Sequence, residues 1–237
     1  MDGIEVFNTP FGEISCYNND ENFIYHLRMG GWWEYELLVK YLLPYIVRSH
    51  VILDIGAHIG SHSVFYGHVN PAAQILAFEP QKAIYTLLQK NTLRYPNVLA
   101  VNACLGHIEK RVTLSQKCSG QDVVYGNSKT VNMGGMALGE HGEQTEMARV
   151  DSLNLPRCDF IKIDVEGAEG LVFMGAKDTL FKFKPVICFE YSPQLDTTPI
   201  KNLFSLEKVP DAKEVLVEIG YTKFTFLEGD NWLAEWA

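Results

Sequence analysis

The sequence predicts an α/β protein: a doubly wound, mostly parallel sheet with helices on both faces, a C-terminal antiparallel hairpin and a short N-terminal extension. Three observations carry this. Short β-prone apolar runs alternate with helical patterns from residue 51 onward, which implies right-handed crossover units. Two of the runs, VILDIGAHIG (51–60) and FIKIDVEGAE (160–169), end abruptly in acidic and glycine residues, as strand ends do where an open sheet meets a ligand. The last two runs, KFTFLEG and NWLAEWA, follow each other with only a turn between them and read as an antiparallel edge.

In chain order, residues 1–50 form the appendage. EVFNTPFGEISCY reads as a hairpin with turn residues Asn8, Pro10 and Gly12, and WEYELLVKYLL as a helix ending near Pro44. The core domain, 51–237, begins with VILDI as a buried strand, a glycine loop and a helix from about Ser61. ILAFEP is the second strand. QKAIYTLLQKNTLRY is a helix with Ile84, Leu87 and Leu88 on one face, stopped by Pro96. NVLAVNACLG is the third strand, and RVTLS and TEMARV are further strands. FIKID is the fourth core strand, GAEGLVFMGAKDTL one helix, VICFEY the fifth strand and DAKEVLVEIGY another helix. Residues 118–143 are too glycine-rich and polar for a core. A loop of this length is expected to be functional, here a substrate lid offering Tyr125, Asn127 and His141.

The bulk numbers narrow the function classes. A chain of 237 residues with 47% hydrophobic content can bury a substantial core. The net charge of −9 speaks against a nucleic-acid partner, which needs a basic face. Five widely spaced cysteines with no CxxC pattern read as reduced thiols rather than a zinc site. The N-terminal MDGIEVFNTPFGE has neither a basic start nor an apolar core, so no signal peptide is read, and no run is long enough for a membrane span. A cytoplasmic protein is the expectation.

DIGAHIG places Asp54, Gly56, His58 and Gly60 at a strand-to-helix junction. Glycines there let the backbone turn tightly and approach a ligand, and the following helix start offers free N–H groups. The spacing is not G-x-G-x-x-G, which favours S-adenosylmethionine over a nicotinamide cofactor. Glu79, at the end of the second strand, stands where an acidic residue holds a ribose diol. It also suits a helix cap, and the two roles coexist. Asn102, at the third strand end, is a weaker candidate for the adenine.

With these residues together the chain resembles the FkbM-type family of class I S-adenosylmethionine-dependent methyltransferases. The resemblance runs from about Gly30 to Ser192, on Glu34 in GWWEYE, DIGAHIGSHS, AFEP, VNACLG and above all RVDSL…DFIKIDVEGAEGLVFMGA…PVICFE. It implies a Rossmann-like sheet closed by an antiparallel hairpin, and methyl transfer to oxygen, often a sugar or polyketide-type hydroxyl. It also implies that Asp54, Gly56 and Gly60 line the methionine and ribose side, Glu79 the ribose, and Asp164 and Glu166 the transferable methyl. His58, His62 and the long insertion depart from the commonest pattern.

An alcohol acceptor must lose its proton during attack. Asp164, Glu166 and Glu190, at the ends of the fourth and fifth strands, are the carboxylates placed for that. Two versions stay open. In one, Asp164, His58 or His62 takes the proton. In the other, Asp164 and Glu190 hold a divalent cation such as Mg²⁺. The metal-free version is preferred because no compact ligand motif is visible. Glu34 either contacts the cofactor or starts its helix. Trp32, Trp33 and Tyr35 either face a sugar or pack. Lys162 and Glu169 are expected at the surface or as helix caps.

The expected function is O-methylation of a sugar hydroxyl, such as that of a deoxyhexose (rhamnose, for example) in a glycan or glycoconjugate. A polyketide or phenolic hydroxyl is the runner-up. An inactive cofactor-binding partner subunit is the reading from another class. The partner is thus a small-molecule or glycan acceptor. A homodimer, or a place within a larger multidomain glycan-building enzyme, stays open.

Overall fold

The computed structural model describes residues 3–18, 20–115, 117–118, 121–122 and 133–236. Tyr125 and Asn127, expected as lid contacts, lie outside the described residues.

The appendage is the expected hairpin: β1 (Ile4–Thr9) pairs antiparallel with β2 (Gly12–Tyr17). Helix α1 (Glu21–Arg28) follows, which the sequence reading passed over. The next helix is wide-wound, π-helical, over Leu37–Leu42 and continues as α2 (Leu43–Ile46). The helix therefore runs through Pro44 instead of stopping there. Pro44 falls in the first turn of α2, where a missing N–H costs nothing.

The core strands β3 (Val51–Ile55), β4 (Gln74–Phe78) and β5 (Val98–Val101) are interleaved with α3 (Ser61–Val69) and α4 (Lys82–Thr92). The third expected strand splits: β6 (Cys104–Leu105) leaves the main sheet to pair with β10 (Gly142–Ala148). β10 also pairs with β7 (Lys110–Ser115), while β8 (Lys117–Cys118) pairs with β9 (Gln121–Asp122). Then come β11 (Phe160–Ile163), α5 (Glu169–Met174), α6 (Lys177–Phe183), β12 (Val186–Glu190), α7 (Thr198–Phe204), α8 (Ala212–Ile219), β13 (Lys223–Phe226) and β14 (Asn231–Glu235). The single helix expected over 167–180 is two, because the chain must turn at Gly175. A side chain there would sit 1.8 Å from the Gly106 carbonyl oxygen.

The main sheet has the order β13-β14-β12-β11-β3-β4-β5. Strands β12 to β5 are parallel, and β14 and β13 form the antiparallel edge. The winding reverses between β3 and β11, so their carboxyl ends open a crevice at the switch point. Period-two alternation gives each face its own core. Ile52, Ile75, Phe160 and Cys188 pack with α3, α4 and the appendage. Leu53, Ile55, Ile161, Ile163, Ile187 and Phe189 pack with α5, α6 and α8. Ile84, Leu87 and Leu88 are buried as their spacing required.

Candidate active site

One cavity of about 300 Å³ lies over the carboxyl ends of β3, β4, β11 and β12. Its floor follows from the loop after β3. Gly56 has φ +82, and a Cβ there would stand 1.7 Å from the backbone oxygen of Asp164. Only glycine lets β3 and β11 end side by side. Gly60 (φ +89) ends the loop, where a Cβ would press on Leu88 at 2.7 Å. Asp54, wholly buried, accepts from the Ser63 hydroxyl at 2.5 Å, and burial raises its carboxyl. It lines the cavity, as do Gly56, His58 and Glu79; Gly60 supports the loop from behind.

Glu79, 4% exposed, accepts from the backbone N–H groups of His58 (3.0 Å) and Gln81 (2.7 Å). It thus ties the glycine loop to the start of α4. Burial pushes its carboxyl up to about 8, against the pull of those two N–H groups. Asn102 is placed differently from the adenine expectation. Its amide donates to the carbonyls of Glu79 (2.9 Å) and Pro80 (3.0 Å), and Ala103, Cys104 and Leu105 line the cavity in its stead.

At the other end stand Asp164, Glu166 and Glu190, each offering a carboxylate oxygen within 4.8 Å of the others. The strand ends at Ile163, so its alternation does not carry on to Asp164 and Glu166. The chain turns at Glu166 with φ +53, and both carboxylates line the cavity. Burial, then the charge of Asp164 beside it, pushes Glu190 up to about 10, so it carries a proton at neutral pH. Glu34, His58 and Glu166 all have left-handed backbone and all line the cavity. Such strain at non-glycine residues gathers where a site requires it.

Glu34 lines the cavity. It accepts from the Asn231 amide at 2.9 Å and stands 3.1 Å from His62 Nε2. Burial opposes its charge, but His62, Lys162 and Asn231 outweigh that and hold its carboxyl at about 2. His58 Nε2 stands 3.4 Å from Asp20, and burial lowers its pKa. Of the three aromatic candidates Trp33 lines the cavity. Trp32 packs edge-on to Phe11, and Tyr35 is exposed.

One expectation is corrected, and of the two readings of Glu169 the capping one stands. Lys162 is not at the surface: it is 1% exposed, lines the cavity and lies 3.4 Å from Asp164. Glu169 is also buried, accepting from the N–H groups of Val165 (3.1 Å) and Gly167 (3.3 Å). It closes the turn that presents Glu166. The signal for Lys162 was in the sequence, since alternation puts it on the face of Phe160. Asp20 and Asn231 were missed because nothing local marks them.

Of the expected lid contacts, His141 is exposed and does not line the cavity. Other residues of that segment do, namely Gly134, Met136 and Leu138, and Gln81 donates to the Met133 carbonyl at 3.0 Å. Among the described residues no helix is long and apolar enough to cross a membrane.

The comparisons agree with this geometry. The model of the methyltransferase FkbM domain matches residues 54–226. "Methyltransferase 1" of Beauveria bassiana is 30% identical over 146 residues, covering 54% of this chain and 58% of that protein. The hexuronic acid methyltransferase AglP of Haloferax volcanii is 26% identical over 177 residues, covering 73% of this chain and 68% of AglP. The chain thus spans about three fifths to two thirds of the length of these relatives. Among solved structures, methyltransferase FkbM from Methylobacillus flagellatus superposes with a TM-score of 0.52 at 17% identity, over 79% of this chain and 44% of that one; this likeness speaks to the fold. With the family model spanning the glycine loop, the carboxylate cluster and the start of the terminal hairpin, the chain belongs to the FkbM methyltransferase family.

Proposed function

We propose that the protein transfers a methyl group from S-adenosylmethionine to a hydroxyl oxygen of a sugar. The observation that carries this is one cavity with Glu79 and the glycine loop at one end and Asp164, Glu166 and Glu190 at the other. The residues present fit the cofactor by their chemistry. Glu79 offers its carboxyl oxygens to a ribose diol, Phe78, Ala103 and Leu105 offer apolar walls to a base, and the acidic Asp20 and Glu34 suit an amino group. The cofactor, when bound, supplies an electrophilic methyl with a neutral leaving group.

The chain's own task is then alignment and proton removal. Asp164 accepts the acceptor's hydroxyl proton as the oxygen–methyl bond forms. Glu190, already protonated, donates a hydrogen bond to Asp164 and holds it in place. Glu166 lies on the acceptor side of the pair. His58 and His62 are drawn toward Asp20 and Glu34, which leaves the carboxylate as the proton acceptor. The sugar acceptor is supported by the hexuronic acid named for AglP and by Trp33 and Phe23 on the cavity wall. The segment 133–139 fits the part of a cover over the acceptor.

Calorimetric titration with S-adenosylmethionine, S-adenosylhomocysteine and NAD tests the cofactor, and mass-spectrometric screening of glycosides tests the acceptor. Binding of the two sulfur nucleotides and methylation of a glycoside hydroxyl is expected. Methylation only of phenolic or polyketide hydroxyls would overturn the sugar assignment, and failure to bind either nucleotide would overturn the activity.

A further inference from the structure

We propose that Lys162 is a built-in counter-cation: within the carboxylate cluster, beside Asp164, its ammonium takes the electrostatic place of a divalent ion. The proposal rests on the methyl-transfer reading for the role of Asp164.

Lys162 is the third residue of the central strand β11. In register it faces Asp54 on β3 and Cys188 on β12. It donates to Asp164 Oδ2 at 3.4 Å, and Glu34 and Glu190 bear on it electrostatically. A buried ammonium without partners is costly, and the same position in an apolar strand would readily take a leucine or methionine. The carboxylates around it are what make a cation fit there. They are also what a divalent ion would need.

The Asp164, Glu166 and Glu190 oxygens lie close enough to share one ion. A second cation brought there would meet the ammonium at a few ångströms, a strong repulsion in a partly buried site. With Lys162 balancing Asp164, the cluster has its positive charge from the chain itself. Lys162 is a positioning residue, acting through Asp164.

The test is titration of Mn²⁺ into the full chain, followed by the electron paramagnetic resonance signal of free Mn²⁺. Wild type, Lys162→Met, Lys162→Gln and Lys162→Met with Asp164→Asn are compared, with thermal melts as a fold check. Wild type is expected to leave millimolar Mn²⁺ free. The neutral variants should bind it at least about tenfold more tightly, as removal of a unit charge a few ångströms away implies, and Asp164→Asn should abolish the gain. Mn²⁺ uptake by wild type that Asp164→Asn removes would overturn the proposal, as would folded neutral variants with no gain. Should both neutral variants fail to fold, Lys162→Arg decides: folded and indifferent to Mn²⁺ supports the counter-cation, and Mn²⁺ uptake overturns it. Parallel titration with S-adenosylhomocysteine separates the two readings. The Mn²⁺ signal needs no cofactor, so absent nucleotide binding would count against methyl transfer alone.

Discussion

Asp164 and Glu190 are chemically near-identical side chains that the chain sets in different surroundings. Glu190 ends β12 inside the sheet edge and keeps its proton, pushed up to about 10 by burial and by its neighbour's charge. Asp164, one residue past β11, has Lys162 at 3.4 Å and a side chain 40% exposed. A buried carboxyl beside an exposed carboxylate with a cation at hand is an arrangement that can separate proton donor from acceptor. Asp164→Asn is therefore expected to leave affinity for S-adenosylhomocysteine within about threefold of wild type and to lower turnover by about 10² to 10⁴. Calorimetry and single-turnover methyl transfer measure the two quantities. Undiminished turnover would move the proton to His58 or another group.

At the scale of elements, the glycine loop and the appendage hold the site together. Gly56→Ala would force a side chain against the Asp164 carbonyl and a left-handed φ on alanine. A loss of at least about 3 kcal/mol is expected, read as a lowered melting temperature; an unchanged melt would mean β3 and β11 part freely. Asn91 on α4 is the tie between appendage and core. Its amide donates to the carbonyls of Ser15 (2.9 Å) and Ile59 (2.8 Å), and its oxygen accepts from Ser15 N–H at 2.7 Å. Asn91→Ala orphans three buried backbone groups, for a cost of about 3 kcal/mol in chemical denaturation. The hairpin and helix of residues 1–50 were legible from turn residues and spacing, but their role was not. Only folding brings Asp20 and Glu34 over the strand ends, against His58 and His62.

For the whole molecule, the site's carboxylates set a pH dependence. Glu79 is raised to about 8 and Glu169 to about 7 from an ordinary 4.5, each by burial. The folded state thus holds protons that the unfolded chain has released above pH 4.5, so stability falls as pH rises from about 4.5 to about 8. The decline for the ligand-free protein is on the order of a few kcal/mol. Thermal melts across this range test it, and Glu79→Gln should flatten much of the slope. A melt that rises between pH 5 and 8 would mean that other groups dominate.

The sequence by itself determined the layering, the alternation of strands and helices, and the two strand ends that carry glycine and acid. These are local facts: side-chain period, turn chemistry and the length of apolar runs. Tertiary structure decided what stands opposite those ends. A left-handed turn at Glu166 gathers three carboxylates, and the register of β11 with β3 and β12 sets Lys162 beside Asp164 and across from Asp54. Neither is visible in one dimension, because burial and charge belong to the neighbours that folding supplies. A lysine between apolar residues reads as an exposed charge until Asp54, Asp164 and Glu190 are set around it.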